Sequence, residues 1–215
     1  MIFSTLILCI LSLGGFGREY AAATMLRGGD YQTVLSLRRF DSSWLTYSVR
    51  GLDELMQKCA DALLTNEAVR LSPQLQQEIG DSCGTAAKAI LAKNPGFARA
   101  HAVGLIAALG VLTAQAYDLA AAAAPFEPWA LSVRLLASER ALVVHPEALP
   151  ADLVAPVSGD VARALQSDWG RKLVAGLYVR QRGLRGLIEA AAKTRTNEEQ
   201  RAFLKATQDL AARNG

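Results

Sequence analysis

From Leu52 to the C-terminus, apolar residues recur every three or four positions, and no run alternates strongly enough to demand a sheet. That period marks helices with one buried face, so the pattern points to an all-α chain of antiparallel helical hairpins. Alanine is very abundant here; it favours helix and lets neighbouring helices approach closely. One helix is expected over about 48–64. A second is expected over about 73–93, opened by Ser72 as N-cap with Pro73 at the first helical position. Asn94-Pro95-Gly96 then breaks the chain. Further helices are expected from Phe97 to about Leu112, from Thr113 to Ala124, and from Trp129 to about Val144. "HPEALPADLVAPVSGD", residues 145–160, carries three prolines and reads as a loop. A single long helix is expected from about Val161 to Lys193, and a last one reaches about Ala212 behind Thr196-Asn197-Glu198-Glu199.

The N-terminus differs in kind. "IFSTLILCILSLGGF", Ile2 to Phe16, contains no charge. Such a run suits a secretory h-region and is short for a membrane span, which usually takes about 20 residues. Ala21 and Ala23 supply an A-x-A-like site that would release the chain before Thr24. Against cleavage, no Lys or Arg precedes the run, and the first basic residues are Arg18 and Arg27. Taken alone, that asymmetry would put the body in the cytoplasm. An uncleaved single-pass anchor, a cleaved signal and a buried helix all fit. The expected organisation is therefore an anchor or signal over 1–23, a connector over 24–47, a helical-hairpin domain over 48–144, a proline-rich loop over 145–160 and a C-terminal helical segment over 161–215.

Two cysteines speak to the compartment. Leu52, Leu55, Met56, Cys59 and Leu63 share one helical face, and Leu75, Ile79, Cys83, Ala86 and Ile90 share another. Facing residues of an antiparallel pair are symmetric about the turn. The midpoint of Cys59 and Cys83 falls beside Ser72-Pro73, so the two sulfurs are expected to face each other across the hairpin. A disulfide there would stabilise by roughly 3 kcal/mol in the loop-entropy model. The alternative is a pair of small buried thiols in a reducing compartment. The geometry favours the oxidising side, and with it a body outside the cytoplasm.

Within "SCGTAAKAILAKNPGFARAHAVGLIAALG", Ala86, Ala87, Ile90, Pro95, Ala98, Ala100 and Leu105 fall where a tetratricopeptide repeat places its small residues, its proline and its packing residues. "AQAYDLAAAAAPFEPWALSVRLLASERAL" repeats the arrangement, with Pro125 and Pro128 following Pro95 by 30 and 33 residues. The period of such repeats is about 34 residues. Residues 51–142 thus resemble a degenerate tetratricopeptide-like repeat in which most aromatic positions are missing. A plain helical bundle is the alternative. A second membrane span over Ala102 to Tyr117 is a third, opposed by Thr113 and Gln115 within it and by Arg99 and Asp118 at its ends.

Little in the chain suggests catalysis. His101 and His145, the only histidines, belong to no HExxH, Cys-His or triad pattern. Cys59 and Cys83 are too far apart for CxxC chemistry and lack metal-ligand neighbours. Neither a cofactor nor a metal is expected, and the formal net charge of +3 is too mild to argue for nucleic acid. The charge is uneven, however. Residues 160–215 hold 11 Lys/Arg against 6 Asp/Glu, and residues 1–159 hold 12 against 14. On one continuous helix, Leu173, Leu177, Leu184 and Ile188 would form a buried stripe. Arg171, Tyr178, Arg182 and Arg185 would lie nearly opposite as an exposed interaction face, or else a merely solvated one. Gly176 and Gly183 lie beside the stripe and would suit close approach of another helix.

The repeat resemblance implies protein-binding or assembly work, and by analogy a non-catalytic, inner-membrane accessory factor of a bacterial envelope with its body in the periplasm. Release into the periplasm is the alternative location. The competing functions are a structural subunit of a larger membrane complex and a periplasmic ligand-binding protein. The expected partners are proteins, membrane-embedded ones by the same analogy, with an anionic lipid or polysaccharide as a further candidate at the basic helix.

Overall fold

The computed structural model describes Tyr20 and residues 48–64, 72–108, 111–144 and 147–214. The expected anchor and connector, together with His145, lie outside the described residues. Among those described, nine helices account for the regular structure and no strand occurs. The chain divides into two compact units between Ala107 and Ala108. That boundary falls inside the segment expected as one hairpin domain over 48–144, which the structure therefore divides.

The first unit holds α1 (Val49–Leu64), α2 (Pro73–Lys93) and α3 (Ala98–Ala107). Ser72 caps α2, its side chain accepting from Leu75 N at 3.3 Å, with Pro73 directly behind. These two residues start the helix with pre-set geometry and one satisfied orphan donor. Asn94 ends it by donating its N–H to the Ile90 carbonyl at 2.8 Å, and Pro95-Gly96 turns the chain into α3. Helix α1 packs on both α2 and α3, and α2 packs on α3. Leu55, Met56 and Leu63 of α1, Ile79, Ala87 and Ile90 of α2, and Val103 and Ile106 of α3 are all buried in the core that the three helices enclose. Each fully buried large aliphatic side chain contributes about 1.5–3 kcal/mol. Alanines at 60, 86, 87, 100 and 102 are buried as well, and their small size lets the three axes come together.

The second unit contains α4 (Ala114–Ala123), α5 (Pro128–Val144), α6 (Ala151–Ala164), α7 (Asp168–Arg180), α8 (Arg182–Lys193) and α9 (Asn197–Asn214). Helix α6 is its centre, touching α4, α5, α7 and α8, while α9 packs on α7 and α8. This corrects the loop expected over 145–160. Pro150 stands just ahead of α6, where its missing N–H costs nothing, and Pro156 sits inside the helix. An internal proline costs roughly 3 kcal/mol. The burial of Leu153, Val157, Val161 and Ala164 at helical spacing along α6 offsets that cost.

The long helix expected over 161–193 is in fact three segments. Residues 165–167 turn α6 into α7, and Gln181, extended at φ −115° and ψ 100°, separates α7 from α8. At the first turn Gly170 is buried against the Ala164 backbone, and a Cβ there would overlap the Ala164 carbonyl. The close approach expected at Gly176 is absent, since a Cβ there would meet only Arg180 of its own helix.

Among the described residues, no helix is long and apolar enough to cross a membrane. The second span considered over Ala102 to Tyr117 falls instead on α3 and the start of α4, each ten residues long.

Candidate functional site

The structure joins Cys59 of α1 to Cys83 of α2 as a disulfide with a Cα separation of 5.7 Å. Both residues are fully buried. The bond is sealed from solvent and ties α1 to α2 in the register that the two apolar stripes set.

The basic residues of the C-terminal segment do not form one face. Leu177, Leu184 and Ile188 are buried, but Leu173 is only half-buried and Val174 takes its place. The reason is the break at Gln181, which resets the helical phase between α7 and α8. Glu139 of α5 receives Arg180 Nε and Nη2 at 2.9 and 3.0 Å and Gln181 Nε2 at 3.0 Å. Arg185 turns back, donating Nε to the Tyr178 carbonyl at 3.0 Å and Nη2 to the Val179 carbonyl at 3.2 Å. Its guanidinium lies 5.4 Å from the Tyr178 ring centroid. A cation thereby satisfies carbonyls left open at a helix C-terminus.

Tyr178 donates its hydroxyl to Glu189 at 2.8 Å, and that bond raises its pKa. Arg171 donates Nη1 to the Leu165 carbonyl at 2.9 Å and pairs with Asp168, leaving its side chain only 15% exposed. Arg182 is exposed. The expected face of Arg171, Tyr178, Arg182 and Arg185 is thus dismantled, because two of its three cations are held by local carbonyl groups.

A buried polar centre lies among residues that the sequence reading did not single out. Asp160 of α6, Arg134 of α5 and Tyr117 of α4 are all fully buried. Arg134 donates Nε to Asp160 Oδ2 at 2.7 Å and Nη2 to Oδ1 at 3.3 Å. Its Nη1 reaches the Ala124 and Ala120 carbonyls at the end of α4, at 3.0 and 3.3 Å. Tyr117 donates its hydroxyl to Asp160 Oδ2 at 2.9 Å, and Arg163 donates Nη1 to Oδ1 at 2.7 Å from the rim. Burial, and then the Asp160 charge, push the Tyr117 pKa well above its ordinary value, so the phenol stays a neutral donor. Every charge in this centre has its partner, and no polar atom is left open to a ligand. It works as a clamp on α4, α5 and α6.

Open concave surface lies along α9. One groove of about 380 Å³ runs between α7 and α9, with Ala202, Ala206 and Leu210 on its floor and Lys172, Lys205 and Arg213 on its walls. A second, of about 340 Å³, is lined by Tyr178, Glu189, Phe203 and Leu204; the Tyr178 and Phe203 rings meet edge-on at 5.9 Å. His101 sets Nε2 2.7 Å from the Pro95 carbonyl at the α2–α3 turn. Among the described residues no group of His, Cys, Asp and Glu could hold a metal ion. No protein-family model matches the chain, and neither does any curated protein or solved structure.

Proposed function

We propose that this chain is a non-catalytic protein-interaction or assembly factor, tethered through Ile2–Phe16, whose helical body works in an oxidising compartment such as a bacterial periplasm. The observation that carries the reading is how the body distributes its chemistry. The deepest ionisable groups, Arg134 and Asp160, are consumed in holding helices together, while the open concavities are grooves between helices. Surfaces of that kind receive segments of other proteins. The sealed disulfide supports the oxidising compartment. The likeness of residues 51–142 to degenerate tetratricopeptide repeats supports the same class of work, although fold by itself does not fix function.

The test is fractionation combined with crosslinking in native membranes. The expected result is a chain that resists alkaline carbonate extraction, keeps its own N-terminus and crosslinks to other proteins. A soluble product beginning at Thr24 would remove the tether. Stoichiometric recovery with one fixed set of membrane proteins would favour a structural subunit over an assembly factor.

A further inference from the structure

We propose that the groove between α7 and α9 receives an acidic amphipathic segment of a partner protein. This deepens the interaction reading above and rests on it. Several cations of the basic C-terminal segment are already committed to partners. Arg163 is bound to Asp160, Arg171 to Asp168 and Arg180 to Glu139, and Arg185 serves the α7 carbonyls. Lys172, Arg182, Arg201, Lys205 and Arg213 are exposed and have no carboxylate partner among the described residues. Three of them, Lys172, Lys205 and Arg213, come together along this one groove.

The floor gives the second half of the argument. Ala202, Ala206 and Leu210 recur at i, i+4 and i+8 on α9, so they form one apolar strip down the groove. The alanines make that strip a shallow channel where larger side chains would have filled it. From Ala202 to Arg213 the channel is about 16 Å long at 1.5 Å per residue, or three helical turns. A helix laid along it would place apolar side chains on the strip and carboxylates beside the three cations. That is the pattern of an amphipathic helix docked in a groove.

An anionic bilayer fits less well. Asp168 and Asp209 also line the groove, and two carboxylates repel a continuous anionic surface. A discrete peptide can instead leave uncharged residues opposite them.

The test uses the full chain and a defined probe: an 18-residue helix-forming peptide with leucines on one face and glutamates elsewhere. Its comparators are a scrambled peptide of the same composition and phosphatidylglycerol vesicles. The amphipathic peptide is expected to bind and to crosslink from a photoreactive residue at Ala206, and not from one at Gln208. The variant K172E/K205E/R213E is expected to weaken binding at least tenfold at low salt, with the gap narrowing as salt rises. Its helical circular dichroism should be unchanged, because these side chains are exposed. Equal binding of the scrambled peptide would overturn the proposal, since charge alone would then suffice. Vesicle binding lost in the same variant, without peptide binding, would overturn it in favour of a membrane surface. Partner crosslinks in cells from other faces but none from Ala206 would sink the groove and leave the interaction reading standing. No protein crosslinks from any face would sink both.

Discussion

Replacing Asp160 with leucine tests the clamp at the centre of the second unit. The substitution takes the acceptor from Arg134 Nε and Nη2 and from the Tyr117 hydroxyl, all inside a site closed to water. Arg134 keeps only the Ala120 and Ala124 carbonyls, which do not neutralise its charge. Removing one partner of a buried ion pair costs about 3–5 kcal/mol, because the other charge is stranded. A domain holds only about 5–15 kcal/mol in total, so the loss is a large fraction of the unit's stability. For a domain near 100 residues each kcal/mol moves the midpoint by roughly 4–8 °C, which makes the expected drop at least about 12 °C. Trp129 and Trp169 both belong to this unit, so tryptophan fluorescence during thermal and urea unfolding should follow it.

The decisive comparison is the double replacement Arg134→Met with Asp160→Leu. It removes both charges and fills the space with apolar atoms, so it should cost less than Asp160→Leu alone. A single-variant loss below about 1 kcal/mol would refute the stranded-charge argument. So would a double-variant loss equal to the sum of the singles.

Three further outcomes follow from the same structure. Cys59→Ser with Cys83→Ser should lower the stability of the first unit by about 3 kcal/mol, and thiol labelling of the native chain should fail at both positions unless reductant and denaturant are present. Gly170→Ala should destabilise the second unit by roughly 1–3 kcal/mol, as overpacking does, whereas Gly186→Ala, with open space around it, should be neutral or stabilising in the same urea titration. Tyr117 has a folded pKa raised above its unfolded value of about 10, so its contribution is intact below that pH and is lost as pH rises toward the folded pKa. Stability should therefore fall more steeply above pH 10 in the native chain than in Tyr117→Phe; parallel slopes in alkaline urea melts would remove Tyr117 from that dependence.

The parts of this molecule legible in the sequence are those whose signals are local. The α1–α2 hairpin could be read because Cys59 and Cys83 sit on apolar stripes symmetric about Ser72-Pro73. Helix α6 was hidden by Pro150 and Pro156, although Leu153, Val157 and Val161 already carried its spacing. The buried centre was hidden because Arg134, between Val133 and Leu135, and Asp160, beside Val161, look like interruptions of an apolar pattern. Only their mutual placement, 26 residues apart in sequence, makes them core residues. The basic face failed for a related reason. Its phase assumed an unbroken helix, and the residues at the break bond to Glu139, 41 residues before Arg180.

That break carries a consequence for how the second unit assembles. The stretch between Asp168 and Lys193 holds no proline, but Gly183 stands two residues past Gln181 and weakens the helix there by about 1 kcal/mol relative to alanine. Local preference and final structure therefore agree in part at Gln181, where a weakened helix gives way to an extended residue. Glu139 of α5 accepts from both Arg180 and Gln181 and so holds the chain at the break. The bend between α7 and α8 is thereby coupled to α5, so that loss of Glu139 would loosen the seat of the C-terminal helices as well as one surface ion pair.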